Sequence, residues 1–471
     1  MSLALSSAAG RRAVAASIVG SGMAFLDGTI VTVAAPHIMA DLGGGFAGMQ
    51  WVLDGYLLTL GALVLVGGAM GDLLGKRRVF IVGTVGFALA SVACSLAPGI
   101  VLLVAARMVQ GVCAALLVPT SLALLNAVFS GADRGRAIGT WSGLSGIFTA
   151  LGPFVGGALV DAFPYGWRLA FLINLPLGAV AVWLAHTSVP DLPGTRTAAP
   201  LLAQLDLAGA GLATLGLGLV VGPLIELDQL GPAAWFGVAT GVALLIAFVL
   251  LEKRRGSTAQ PPPMLPLAMF RIRSFTVANL VTFVVYGALT AATFLLTIYL
   301  QMGLGYSALA AGAASIPITI LLALFSSRVG ALVARFGPRR FLVAGPLVMA
   351  AGLAWLSLVA PGAGYPSSVL PAVTLFAAGL VLVVAPVTTA ALLDVGPARS
   401  GTASGVNNAV ARVAGLLAIA VLPAAAGIGA AGTGLGLGYP RAMLISAGLC
   451  AIGAGIAAVG FRTHKNAPHG S

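Results

Sequence analysis

Asp27 stands inside the apolar stretch FLDGTIVTVAAP and Arg107 inside ARMVQGVCAA. A carboxyl group in such surroundings can take up and release a proton, and a guanidinium, which does not release its own, can set how tightly a neighbouring acid holds one. A pairing that only fixes helix packing is the alternative reading of both. Asp54, in WVLDGYLL, is placed about one turn into its stretch. It is either a second acidic site that attracts a cation or relays protons, or a hydrated carboxylate near a cavity mouth. Arg412, preceded by Asn407 and Asn408, forms the strongest polar constellation of the second half, and either lines a cavity or bridges the halves.

These residues sit in apolar stretches long enough to cross a bilayer, which takes ~20 residues at helical rise. Such stretches fall at about 13–38, 51–71, 79–97, 100–128, 137–160, 169–187, 207–225, 233–251, 275–301, 308–331, 341–360, 367–393, 403–427 and 441–461. Unbroken apolar runs of this length exclude the alternating pattern of a barrel strand, so the expected architecture is an all-α membrane bundle. With both termini inside, the even-numbered loops and the termini collect all 24 basic residues except Arg107, Arg168, Arg412 and Arg441, as the positive-inside rule requires. The expected location is a bacterial cytoplasmic membrane, with the first apolar stretch kept as span 1 and not cleaved as a signal.

Composition agrees: 59% hydrophobic and 8% charged residues leave too little polar surface for a soluble domain. The net charge of +12 lies along loops that meet lipid headgroups, which argues against a nucleic-acid partner. Cys94, Cys113 and Cys450 lie in apolar stretches without metal spacing and read as small core residues. His37, His186, His464 and His469 are scattered, and no nucleophile, metal or cofactor constellation supports an enzyme. There is no nucleotide-binding glycine loop, so no cofactor is expected and the energy source is an ion gradient. Glu226 and Asp228, after span 7, read as interfacial.

Two segments break the rhythm: 188–206, with Pro190, Pro193 and Pro200, and 252–274, with Pro261, Pro262, Pro263 and Pro266. They divide the chain into a six-span bundle (1–190), two inserted spans (191–255), a linker (256–274) and a second six-span bundle (275–471). An internal repeat supports this. GAMGDLLGKRR begins at Gly68 and GALVARFGPRR at Gly330, so that Gly68, Gly75, Arg77 and Arg78 map onto Gly330, Gly337, Arg339 and Arg340 at one offset of 262 residues. Duplicated bundles rocking about a midplane cavity are a common transporter design.

The first copy, with Gly68, Asp72, Gly75, Lys76 and Arg77, resembles the cytoplasmic-loop signature of the major facilitator superfamily. It departs at Leu73, where the family usually has Arg, and the second copy has Ala334 in place of the acid. ARMVQGVCAA, with Arg107, Gln110 and Gly111, resembles that superfamily's proton-coupling motif. GIFTALGPFVGG, with Gly146, Gly152, Pro153, Gly156 and Gly157, resembles its antiporter motif. FLDGTIVTVAAP, with Asp27, Thr29 and Pro36, and WRLAFLINLP, with Trp167, Arg168, Phe171, Asn174 and Pro176, are similar to the fourteen-span drug:proton antiporter family (QacA/EmrB-like).

The resemblance implies two six-helix bundles plus two extra central helices. It also implies proton-coupled export of hydrophobic or cationic organic compounds, from a monomer surrounded by lipid. It assigns Asp27, Arg107 and Gln110 to proton coupling, and the mid-span placement of Asp54 and Arg412 adds them as candidates for coupling or cargo. Asp72 does nothing for orientation and reads as one side of a latch that closes when the transporter faces outward, while for Lys76, Arg77 and Arg78 setting the orientation alone is the alternative. Gly68 and Gly75 are expected to permit the latch's tight turn and close helix approach. The segment around Pro153 becomes a small-residue seam, for which plain close packing is the alternative. Uptake by symport, export of a metabolite, lipid or siderophore, or a sensor that no longer transports are alternatives on the same scaffold. The facing of Phe25, Tyr56, Tyr286 and Phe294 would decide selectivity.

Overall fold

The computed structural model describes residues 3–194, 201–256, 263–396, 399–429 and 434–461. Arg196, Arg462, His464, Lys465 and His469 lie outside them. Among the described residues there is no strand, and fourteen helices are long and apolar enough to cross a membrane. The first six are Ala8–Leu42, Gly45–Leu74, Lys76–Leu96, Ile100–Val128, Gly131–Ala162 and Gly166–Ser188. Spans 7 and 8 are Leu207–Ile225 and Leu227–Arg255. Spans 9 to 14 are Arg273–Gly303, Ala308–Phe336, Pro338–Leu356, Tyr365–Leu392, Ser400–Ala425 and Leu435–Gly460. Each expected span corresponds to one helix. The face where span 1 begins and span 14 ends is here the terminal face, and the opposite one the distal face.

Many helices run a turn or more beyond their apolar stretch, because an α-helix satisfies its own backbone bonds and need not stop at the hydrocarbon edge. Glycines in the left-handed region stop several of them. Gly75 (φ 99°) separates spans 2 and 3, and Gly337 (φ 74°) separates spans 10 and 11. Moved by the same 262 residues, Gly45–Leu74 lands on 307–336, where the structure has Ala308–Phe336, and Lys76–Leu96 lands on 338–358, where it has Pro338–Leu356. The repeat therefore extends from the loops to the helices.

Longer helices shift two expectations. Span 2 begins at Gly45, so Asp54 lies about two and a half turns inside it and is 0% exposed, which removes the hydrated-mouth reading. Arg328, expected in the loop after span 10, lies inside that helix about two turns before its end and donates to the Leu324 carbonyl (3.0 Å).

Spans 7 and 8 pack on each other where small residues allow it: a Cβ at Gly241 would lie 2.7 Å from the Gly216 carbonyl oxygen. Asp206 caps span 7 by accepting from the Gly209 N–H (2.7 Å) and pairs with Arg255 at the end of span 8. Trp51 of span 2 donates to Glu226 (2.9 Å), tying the pair to the first six spans.

Candidate functional site

Asp27 and Arg107 meet in the interior of the first six spans. Asp27 is 1% exposed and Arg107 0%, and Arg107 Nη1 lies 2.5 Å from Asp27 Oδ2. Gln110 Nε2 donates to Asp27 Oδ1 (2.9 Å) and Asn174 Nδ2 donates to the same oxygen (2.9 Å), while both amides also reach Ser91 Oγ (2.8 and 3.2 Å). Gln110 Oε1 accepts from Arg107 Nη1 (2.6 Å), and Cys94 lies beside it (3.7 Å). Spans 1, 3, 4 and 6 thus converge on one carboxylate. A buried charge is tolerated when it is paired and its lone pairs are occupied, as here.

Local sequence explains how each group arrives. Arg107 and Gln110 are three residues apart and share one helix face. In span 6, Trp167, Phe171 and Asn174 follow at steps of four and three, again one face. Pro176 has no N–H for the carbonyl four residues earlier, and the helix breaks there, into Gly166–Leu172 and Asn174–Ser188. Asn174 opens the second piece and turns into the pair. Phe171 lies under the guanidinium (5.8 Å to its centroid), and Trp167 meets Phe171 edge-on. Arg168 closes the distal end, donating to the Ser95 and Ala97 carbonyls (2.6 and 3.0 Å) and pairing with Asp41 (3.6 Å).

Arg107 also couples the network to span 2. Its Nε donates to the Val52 carbonyl (3.0 Å), and its guanidinium carbon lies 4.4 Å from the Tyr56 centroid. Span 2 reaches the second half: Gln50 donates to the Ile419 carbonyl of span 13 (2.6 Å), and Gly61 faces Arg412. Asp54 stays apart from all of this, and neither of its oxygens has a hydrogen-bond partner.

The antiporter-like segment forms the distal seal. A Cβ at Gly152 would overlap the Thr29 hydroxyl, one at Gly156 would press on Ile30 (3.2 Å), and one at Gly157 would lie 2.5 Å from the Leu309 Cα. Gly312, at the start of span 10, is equally tight against the Pro153 carbonyl. Gln301 of span 9 donates to the Val33 carbonyl of span 1 (3.1 Å) on the same side. Towards the terminal face, a Cβ at Gly135, Gly139, Gly143, Gly146 or Gly330 would meet nothing within 4 Å. Spans 5 and 10 are sealed distally and splayed towards the terminal face.

Other predicted residues are placed differently. Asp72 pairs with Lys76 (2.8 Å), and Arg77 donates to the His186 carbonyl (2.8 Å) at the end of span 6. Gly75 needs its positive φ and lies 2.7 Å (as a Cβ) from the Leu192 carbonyl oxygen, but Gly68 meets only Pro119 at 3.8 Å. The close approach to span 4 belongs to Gly67 and Gly71, which pack on Ala115 and Thr120. Asn407 does not join Arg412. It donates to Asn279 (3.2 Å) and Thr282 (2.9 Å) of span 9, because five residues along a helix turn a side chain well away. Tyr56, expected among the side chains that set selectivity, instead lies against the Arg107 guanidinium. Ser91 has no role legible in the sequence, although a hydroxyl inside an apolar stretch is itself a signal that a polar partner faces it. Among the described residues, no group of three His, Cys, Asp or Glu could hold a metal ion.

The chain from residue 18 to 419 matches the model of the Major Facilitator Superfamily. It is 36% identical over 411 residues to a probable actinorhodin transporter of Streptomyces coelicolor, covering 85% of this chain and 69% of that one. It is 36% identical to the multidrug resistance protein Stp of Mycobacterium tuberculosis (86% and 73% covered) and to the methylenomycin A resistance protein of S. coelicolor (88% and 86%). Among solved structures it resembles a POT family transporter at a TM-score of 0.71 and 12% identity, over 95% of this chain and 96% of that one. The helices, the duplicated loop and these likenesses agree: the chain is a multi-pass membrane protein belonging to the major facilitator superfamily, a family of transporters and not of enzymes.

Proposed function

We propose that the chain is a proton-coupled antiporter that exports amphipathic organic compounds of the drug and antibiotic type by alternating access. The observation that carries this reading is the Asp27–Arg107 pair, buried in the first half yet tied through Val52 and Tyr56 to span 2. A proton taken up by Asp27 cancels the charge opposite Arg107. Arg107 then keeps only neutral acceptors and the Tyr56 face, and its pull on span 2 changes. Span 2 meets span 13 across the seam, so proton binding inside one half becomes a bias on the arrangement of both. The names of the relatives, which include multidrug resistance and resistance to methylenomycin A, support the cargo class.

In this reading the terminal face, rich in Lys and Arg, is cytoplasmic and the state is inward-facing. Asp72, Gly75, Lys76 and Arg77 form the latch that closes when the transporter turns outward. The segments 1–190, 191–255, 256–274 and 275–471 serve as first bundle, inserted pair, linker and second bundle in a lipid-surrounded monomer. The test is reconstitution in liposomes with an imposed pH gradient, following proton movement as candidate compounds are added to wild type and Asp27→Asn. Cargo-induced proton flux that disappears in the variant is expected. Flux that persists with an unchanged pH profile would remove Asp27 from the coupling step.

A further inference from the structure

Arg412 is the mid-span charge that the network around Asp27 does not absorb. It lies halfway along span 13, and its guanidinium carbon is 5.8 Å from the Phe25 centroid of span 1. Its Cβ is 3.4 Å from where a Cβ at Gly61 of span 2 would stand. Three spans, two from the first half and one from the second, therefore meet at one cation. Among the described residues it has neither a carboxylate partner nor a hydrogen-bond acceptor. The ion pairs there join Lys76 to Asp72, Arg78 to Asp191, Arg107 to Asp27, Arg168 to Asp41 and Arg255 to Asp206.

Asp27, Asp54 and Arg107 are at most 1% exposed, while Arg412 is only half-buried. An unpaired fixed cation at this level repels cationic cargo, and both acids that could offset it are sealed. A planar, permanently charged fork beside the Phe25 ring suits a planar anion on an apolar body, which can accept two hydrogen bonds while its rings stack. A guanidinium does not release its proton, so a relay role is poor chemistry, and a purely structural role would leave its N–H groups paired.

We infer that Arg412 is a cargo-recognition residue and that the transported compounds carry a carboxylate or phenolate on an aromatic body. This rests on the exporter reading above. The test uses three matched probes, an anthracene carboxylate, its neutral amide and its quaternary ammonium counterpart, with wild type, Arg412→Gln and Arg412→Lys. Binding is followed by tryptophan fluorescence in detergent, and transport by proton movement in liposomes.

The expected result is that wild type binds the carboxylate about tenfold more tightly than the other two, the size of one charged hydrogen bond. Arg412→Gln should lose that preference while still binding the amide, and Arg412→Lys should keep part of it. Preference for the ammonium probe, or an acid-to-amide ratio unchanged in Arg412→Gln, would overturn the inference. Arg412-dependent binding of the acid without proton movement would uphold it and sink proton-coupled export instead. Proton movement driven only by the ammonium probe would do the reverse.

Discussion

Asp161, at the distal end of span 5, accepts hydrogen bonds from the N–H groups of Ala308 (3.0 Å) and Leu309 (2.8 Å), the first residues of span 10. One half of the molecule thereby caps a helix of the other, on the side where the seam is shut. The carboxylate meets unsatisfied N–H groups and the positive end of the helix together. Loss of a helix cap costs about 1 kcal/mol, so Asp161→Ala should shift the equilibrium towards distal opening by roughly fivefold. Spin labels on the distal ends of spans 5 and 10 would report the longer distance, and an unchanged distribution would mean that glycine packing alone holds the seal.

That packing gives a second expectation. Gly157→Leu and Gly312→Val place side chains where the Leu309 Cα and the Pro153 carbonyl stand, so neither variant can close distally as seen here. Both should fold but stop cycling, with distal thiol probes reacting faster. Gly139→Ala, which meets open space in this state, is the control and should bind cargo normally.

Breaking the buried pair should be costly in stability as well as in function. Removing one partner of such a pair costs about 3–5 kcal/mol, so Arg107→Gln alone should lower the melting temperature of purified protein markedly. Combining Asp27→Asn with Arg107→Gln should restore much of the stability but none of the proton coupling. If the double variant is no more stable than Arg107→Gln, the two charges do not compensate each other.

At the terminal ends of spans 7 and 8, Asp206 should give stability a pH dependence of definite sign. Burial by itself would raise its proton affinity, but a hydrogen bond donated by the protonated Glu252 carboxyl, together with those from the Gly209 N–H and Arg255, outweighs it and holds the Asp206 carboxyl below its ordinary range. A group depressed on folding contributes stability above its unfolded value, roughly pH 4, and loses it as pH falls through the folded one. Wild-type melting temperature should therefore drop in that acidic window. Asp206→Ala should start lower at neutral pH and show a shallower drop. Parallel curves for the two proteins would exclude Asp206 as the titrating group.

Sequence alone determined the number and order of the spans, the 262-residue repeat, and the identity of the charges that had to be buried. Those follow from the length a bilayer demands and from the cost of an unpaired charge inside it. Tertiary structure decided which faces meet. Lipid is as apolar as a helix interface, so a span carries little pattern that tells inside from outside. Asn174 joined Asp27 through a proline break, Asn407 turned to span 9 and away from Arg412, and Gly67 and Gly71 took the close contact expected of Gly68. The isolation of Arg412 could be read only once every acid near the membrane's middle had been placed, because pairing depends on the rotation of whole helices and not on spacing along one.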